Sequence, residues 1–217
     1  MAGPSSCYQV GFGENILVVG STNVGKSHFL ETLLSNPHMW TGPIHKIVYC
    51  YGIENATVEH FAKNRPDIIL HKGVPDLSEP RQMFDPTQNN VLCFDDLQAE
   101  LESNKQFTSF LSRASHHCNC TTIVIGHNLF SNLSERKMQT PHYNQLCLFS
   151  NRRCSHQIAT ISRQLSLDPK LVLEAYKKFC SEKHGFLIID LREETPPEFS
   201  LISNVFCDKN QPSYVYF

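Results

Sequence analysis

Charge of one sign is what this chain most clearly lacks. Nineteen lysines and arginines against twenty-one aspartates and glutamates leave a formal charge of −2, which excludes a polycation that coats nucleic acid without regard to sequence. Any contact with nucleic acid has to be a local patch, because no long basic arm is present. Hydrophobic runs are short as well. None reaches the roughly 18 apolar residues of a membrane-spanning helix, and residues 1–13 lack the basic segment and apolar stretch of a secretory signal. No membrane partner is expected. Tryptophan occurs once, at Trp40, and reads as a packing residue. Internal repeats and low-complexity tracts are absent.

Cysteine, by contrast, is plentiful. The chain has nine, an odd number, and Cys50 and Cys93 sit inside apolar runs, Val48-Tyr49-Cys50 and Leu92-Cys93-Phe94. Such thiols read as core residues in a reducing compartment, so an intracellular setting is expected. With 41% hydrophobic and 18% charged residues the chain has the material for an ordinary core. Its 217 residues read as one domain, 1–217, with a core over about 11–206 and a short tail.

The order of elements follows from hydrophobic periodicity. Residues 15–19, Asn-Ile-Leu-Val-Val, form a short apolar run of strand length that ends at glycine. Phe29, Leu30, Leu33 and Leu34 then recur at helical spacing until Asn36-Pro37 closes the segment. The alternation continues, with strands expected at 46–51, 68–70, 91–94, 121–125, 145–149 and 186–190. Helices are expected at 56–62, around Phe107, Phe110 and Leu111, at 155–164 and at 169–180. Residues 75–90 read as a polar stretch with one short helix, and residues 195–217 show no clear period. Strands alternating with helices imply βαβ crossovers, hence an α/β fold with a mostly parallel central sheet flanked by helices.

The chemistry concentrates at three strand ends. Gly20-Ser21-Thr22-Asn23-Val24-Gly25-Lys26-Ser27 has two glycines with four residues between them, followed by lysine and a hydroxyl residue. This is the Walker A pattern, and it lies between a strand and a helix as its chemistry requires. Its glycines let backbone N–H groups wrap a phosphate, the helix start adds partial positive charge, the lysine reaches the β/γ oxygens, and the hydroxyl ligates Mg²⁺. ATP and Mg²⁺ are the expected ligands. The run Val91-Leu92-Cys93-Phe94-Asp95-Asp96 ends in paired carboxylates as a Walker B strand does. Asp95 is assigned to Mg²⁺ and Asp96 to the general base, with Glu100 as a rival base. The strand at 121–125 runs into Gly126-His127-Asn128, and His127 and Asn128 compete for the role of γ-phosphate sensor.

Neighbouring classes fall away unevenly. A guanine-reading Asn-Lys-x-Asp loop is missing, since Asn104-Lys105-Gln106-Phe107 lacks the aspartate, and no Leu-Ser-Gly-Gly signature of ABC ATPases occurs. A small-molecule kinase with Arg152-Arg153 in a lid is the runner-up. A nucleotide-binding interaction module with almost no turnover is the third reading, against which both Walker carboxylates speak.

The serial order of these segments resembles a family. The Walker A loop, Val91 to Leu97, Leu111-Ser112-Arg113-Ala114-Ser115-His116-His117, Ile123 to Phe130, Leu148 to Arg153, Tyr176 and Gly185 to Leu191 come in the order seen in viral genome-packaging ATPases. The resemblance is to the FtsK–HerA-like P-loop branch, particularly the short packaging ATPases of Polinton/Maverick transposons, adintoviruses and virophages, with poxvirus packaging ATPases more distant. It implies an additional-strand, RecA-like fold and an ATP-driven motor that moves double-stranded DNA into a capsid. It further implies a homo-oligomeric ring of five or six subunits, capsid portal or vertex partners, and an arginine finger acting across the subunit interface. Arg113 is favoured for that finger over Arg136, Arg152 and Arg153. One departure stands out: the branch usually has glutamine before the sensor asparagine, and here the residue is His127.

Other clusters have plainer readings. His116-His117-Cys118-Asn119-Cys120 is too tight for one tetrahedral zinc, even with Cys147 or Cys154, and reads as helix-end polar groups and core thiols. Arg152-Arg153, Arg163 and Lys177-Lys178 divide between a DNA-lining pore and a solvated helix face. Asp190 ends an apolar run as Asp95 does, yet it lies late in the chain and reads as structural.

Overall fold

A computed structural model describes residues 8–129, 142–151, 155–165, 167–206 and 214–215. Strands alternate with helices in the order β1 (Asn15–Val19), α1 (Lys26–Ser35), β2 (Lys46–Tyr51), α2 (Ala56–Asn64), β3 (Ile68–Lys72), α3 (Pro80–Met83) and β4 (Asn90–Asp95). There follow α4 (Gln98–Ser103), α5 (Lys105–Ser109), a π-helical turn (Phe110–Ala114), α6 (Ser115–His117), β5 (Cys120–Gly126) and β6 (Gln145–Phe149). The described chain closes with α7 (Ser155–Gln164), α8 (Pro169–Phe179), β7 (Phe186–Asp190), β8 (Leu201–Ser203) and β9 (Tyr214–Val215).

The strands form one sheet in the order β3-β2-β4-β5-β1-β6-β7-β8-β9. The first six are parallel, and β7, β8 and β9 add antiparallel at one side. Every residue of β1, β4, β5, β6 and β7 is buried, as expected when helices cover both faces of a parallel sheet. Side-chain alternation sorts these residues into two cores. Ile16, Val18, Tyr49, Cys93, Ile123 and Ile125 pack under α1 and α2, against Phe29, Leu30, Leu33 and Phe61. Leu17, Val19, Leu92, Phe94, Val124 and Leu148 pack on the other face, against Phe107, Phe110, Ile158, Ala175 and Phe179.

Local chemistry sets the helix boundaries. Asn55 caps α2 by accepting from Thr57 N and Val58 N at 3.0 and 3.1 Å, and Asp168 caps α8 by accepting from Lys170 N at 2.8 Å, with Pro169 at the first helical position. The helix expected around Phe107, Phe110 and Leu111 is broken into α5, the π turn and α6, so its apolar face is kept while its pitch changes. The tail is a correction. Its residues 201–203 and 214–215 extend the sheet as β8 and β9, but elements of three and two residues are too short to show a period. Among the described residues no helix is long and apolar enough to cross a membrane.

Candidate nucleotide site

The sheet order brings the three strand ends of interest to one edge. β5 lies between β1 and β4, so the carboxyl ends of the Walker A strand, the inserted strand and the Walker B strand stand side by side. In open α/β sheets this edge is where ligands bind.

The loop after β1 is held from both sides. Gly20 N donates to Gly126 O at 3.4 Å and Ser21 N to Ser150 O at 3.1 Å, tying it to the exits of β5 and β6. A Cβ on Gly20 would stand 2.5 Å from the Phe149 Cβ, so only glycine lets the loop pass. Asn23 (φ 63°) and Gly25 (φ 107°) both take left-handed conformations that turn the chain into α1. No side chain caps α1, and the first backbone bond into it is Phe29 N to Gly25 O at 2.8 Å. The amides of its first turn therefore remain for an outside acceptor, as anion-binding helix starts require. Lys26 Nζ donates to the carbonyls of Gly20 and Ser21, both at 2.7 Å, and burial lowers its pKa against the opposing pull of Asp95 and Asp96.

Asp95 and Asp96 part company at the end of β4. Alternation points Asp95 to the α1 face, the face of Val91 and Cys93, where it is 8% exposed. There Tyr49 of β2 donates its hydroxyl to Asp95 Oδ2 at 2.5 Å. Burial raises the Asp95 pKa, with the Tyr49 hydrogen bond acting the other way. Among the described residues no other donor is bonded to this carboxylate and no cation forms an ion pair with it. A buried carboxylate so thinly compensated calls for a cation. With the hydroxyl of Ser27, the second residue of α1, the donor set would be all oxygen, which suits Mg²⁺. Asp96 turns away with φ 57° and is half-exposed.

The loop after β5 is braced by two amides that sequence reasoning did not single out. His127 N donates to Gln98 Oε1 at 3.3 Å, and Gln98 Nε2 donates to Asn128 O at 3.1 Å. From the other side, Asn151 Nδ2 donates to His127 O at 3.0 Å. Asn151 in turn is fixed through its N–H, which donates to the Tyr176 hydroxyl at 2.7 Å. Gly126 lets the Gln98 amide close on this loop, since a Cβ there would meet Gln98 Oε1 at 2.5 Å and push it aside. The result is that His127 Nε2 stands 3.6 Å from Asp96 Oδ1. Asn128 is exposed, and its side chain makes no hydrogen bond among the described residues. Gln98 had one signal in the sequence, its place two residues after Asp96. Asn151 lay inside the Leu148 to Arg153 segment of the resemblance without a role of its own, and Tyr49 had no signal.

Other expected residues lie elsewhere. Glu100 is exposed in the first turn of α4, bonded neither to Asp96 nor to His127. Arg113 sits on the π turn, running toward the opposite edge of the sheet, beside a cleft of about 490 Å³ lined by Glu79, Arg81, Ser109 and His117. It is thus not part of its own chain's phosphate edge. Arg136, Arg152, Arg153 and Cys154 lie outside the described residues. Arg163, Lys177 and Lys178 are exposed on α7 and α8, with Lys178 over the Phe179 ring at 5.2 Å. Cys118, Cys120 and Cys147 are buried free thiols, and no group of three metal-ligating side chains converges among the described residues. Burial pushes the neighbouring Cys50 thiol up to about 12. Asp190 lies at the opposite edge of the sheet from the Walker motifs, ion-paired to Arg192 at 2.5 Å.

Comparison with known proteins agrees with this architecture. Among solved structures the chain is similar to the genome packaging NTPase B204 of Sulfolobus turreted icosahedral virus 2, determined with ATP-gammaS. The two share 16% identity over 84% of this chain and 94% of that one, with a TM-score of 0.51. It is also similar to the KaiC-like protein PH0186 of Pyrococcus horikoshii OT3 (13% identity, 65% and 76% of the two chains, TM-score 0.41) and to the RadB recombinase (16%, 63% and 74%, 0.41). No protein-family model and no curated protein matches the chain. The fold is therefore α/β, a RecA-like P-loop arrangement with the additional strand β5 between the two Walker strands.

Proposed function

We propose that this chain is an ATP-hydrolysing motor that moves double-stranded DNA into a viral or virus-like capsid. The observation that carries the hydrolytic part is the pairing of His127 with Asp96 across from Lys26, made possible by the strand between the Walker strands. The packaging part rests on the order of segments along the chain and on the likeness to a fold whose compared member is a genome packaging NTPase.

In this reading Lys26 exchanges the Gly20 and Ser21 carbonyls for β/γ-phosphate oxygens, while the amides of Gly20 to Ser27 wrap the phosphates. Ser27 and Asp95 would hold Mg²⁺, which would spread the charge developing on the phosphates. Tyr49 keeps one oxygen of Asp95 occupied and so aims the other. Asp96 takes the proton of the attacking water, and the bond between the γ-phosphorus and its bridging oxygen breaks to release ADP and phosphate. His127, rather than Asn128, senses the γ-phosphate, because its backbone is braced on both sides and its ring faces Asp96. Arg113 completes a neighbouring subunit's site in a ring of five or six, where weak basic patches converge on DNA.

Steady-state ATP hydrolysis with and without double-stranded DNA, recorded together with the stoichiometry of assembly, tests this directly. DNA-stimulated turnover in a ring-sized species, lost in Asp96→Asn, is the expected result. Turnover that ignores DNA and depends on a small-molecule acceptor would overturn it in favour of a kinase.

A further inference from the structure

The side of the loop away from Asp95 carries a feature that the phosphate chemistry does not use. Asp95, Asp96 and His127 belong to β4 and β5, which lie to one side of β1. In the nucleotide reading above the γ-phosphate faces them, which leaves the other side of the loop, over β6 and β7, for the rest of the nucleotide. The turn between α8 and β7 stands there, because β7 begins opposite the carboxyl end of β6, Phe186 pairing with Phe149.

That turn presents His184 to the phosphate loop. A Cβ on Gly25 would meet His184 Nδ1 at 2.6 Å, so glycine is what lets the imidazole close on the loop. The ring of His28, third residue of α1, lies 5.9 Å from that of His184, tilted by 54°. Both side chains are exposed. Yet the turn is not loosely held. His184 adopts φ 62°, Gly185 leaves no room for a Cβ because Phe179 O would be 2.0 Å away, and Phe186 packs on Phe29 of α1 at 5.0 Å. A strained, fixed backbone that displays an aromatic ring beside a helix start is a pre-organised surface. Helix geometry tilts the His28 side chain back toward the same start.

We propose that His28 and His184 form the base-side wall of the nucleotide site, with the His184 ring lying against the face of the purine. This rests on the nucleotide reading above and adds to it the part of the ligand that the Walker motifs leave unread. Stacking on a base is sequence-tolerant and strong enough to measure by substitution.

The test compares two probes by isothermal titration calorimetry on the full chain: ADP, which has a base, and inorganic tripolyphosphate, which has none. His184→Asn keeps a residue that tolerates the left-handed backbone while removing the ring. It is expected to weaken ADP about ten-fold and to leave tripolyphosphate within about two-fold. His28→Ala, on an exposed helix position, is expected to weaken ADP by a smaller factor in the same selective way. Equal losses for both probes would overturn the proposal and make His184 a phosphate contact. Unchanged ADP binding in both variants would overturn it as well. Wild-type protein that binds neither probe would remove the nucleotide reading itself, which a selective loss in His184→Asn cannot do.

Discussion

The two edges of the sheet each bury an aspartate at the end of a strand, and they treat it oppositely. At the edge opposite the Walker loop, Asp190 receives Arg192 Nε at 2.9 and 3.1 Å and Nη2 at 2.5 Å, with Thr195 Oγ1 at 3.1 Å. Glu14 lies within 3.4 Å of the same guanidinium and accepts from Gln145, which itself accepts from Tyr8. Burial works against the charge on Arg192, yet its hydrogen bonds to Asp190 hold its pKa above the ordinary arginine range. That network is closed: each charge meets its opposite inside the protein. At the Walker edge Asp95 has one tyrosine hydroxyl and Lys26 has two carbonyls, so neither buried charge is matched by an opposite charge in contact. A closed network holds the fold together, whereas an open one waits for a ligand.

Substitutions at the open edge are expected to remove function and spare stability. Lys26→Ala should cut ATP turnover by about a thousand-fold or more, since removing a group that stabilises transition-state charge typically costs two to three orders of magnitude or more. Its thermal unfolding should stay near that of the parent. A variant that kept full turnover would break the site assignment, and one that failed to fold would break the contrast between the edges.

The closed edge should answer the other way. Arg192→Ala leaves Asp190 and Glu14 buried without their cation, a change expected to destabilise the protein by about 3–5 kcal/mol. Urea unfolding measures it. A loss below about 1 kcal/mol would mean that the network is less closed than its geometry indicates.

Tyr49→Phe sharpens the comparison by removing the one hydrogen-bonded partner that Asp95 has among the described residues. Support of this kind around a metal ligand is worth about 10- to 100-fold in metal affinity. The Mg²⁺ concentration for half-maximal turnover should rise by about ten-fold, and nucleotide binding measured without Mg²⁺ should not change. If both shift together, the Tyr49 hydroxyl supports the phosphate loop as a whole and does not act through Asp95 alone.

Much of this contrast was legible along the chain and some of it was not. Walker A, the Val91 to Asp96 strand and the alternation of strands with helices could be read because each signal is local, the two motifs spanning eight and six consecutive residues. Asp190 and Asp95 look alike in sequence, each closing an apolar run. Their late and middle positions along the chain told them apart, and the pairing partners that explain the difference come from outside their own strands. Tyr49 reaches Asp95 diagonally from the neighbouring strand, Gln98 and Asn151 reach His127 from the start of α4 and from the loop after β6, and His184 reaches Gly25 from 159 residues away in sequence. No periodicity encodes such contacts. The strands β8 and β9 were missed because pairing, of β8 with β7 and of β9 with β8, and not their own pattern, makes them strands.

Glu14 supplies the smallest effect and the finest test of what closed means. Its pKa is raised, first by burial, against the pull of Arg192 and the Gly11 amide. The folded protein then holds this proton at pH values where the unfolded chain, titrating near the ordinary 4.5, has already released it. Between those two values the native state binds more protons than the unfolded one, so stability falls as pH rises through the window and levels off above the raised pKa. Glu14→Gln keeps a polar group of the same shape toward Gly11 and Gln145 and removes the titration. Urea midpoints taken upward from about pH 4.5 should therefore show a shallower decline in the variant than in the parent. A steeper decline in the variant would mean that the pull of Arg192 outweighs burial and that the Glu14 charge is a net gain to the fold.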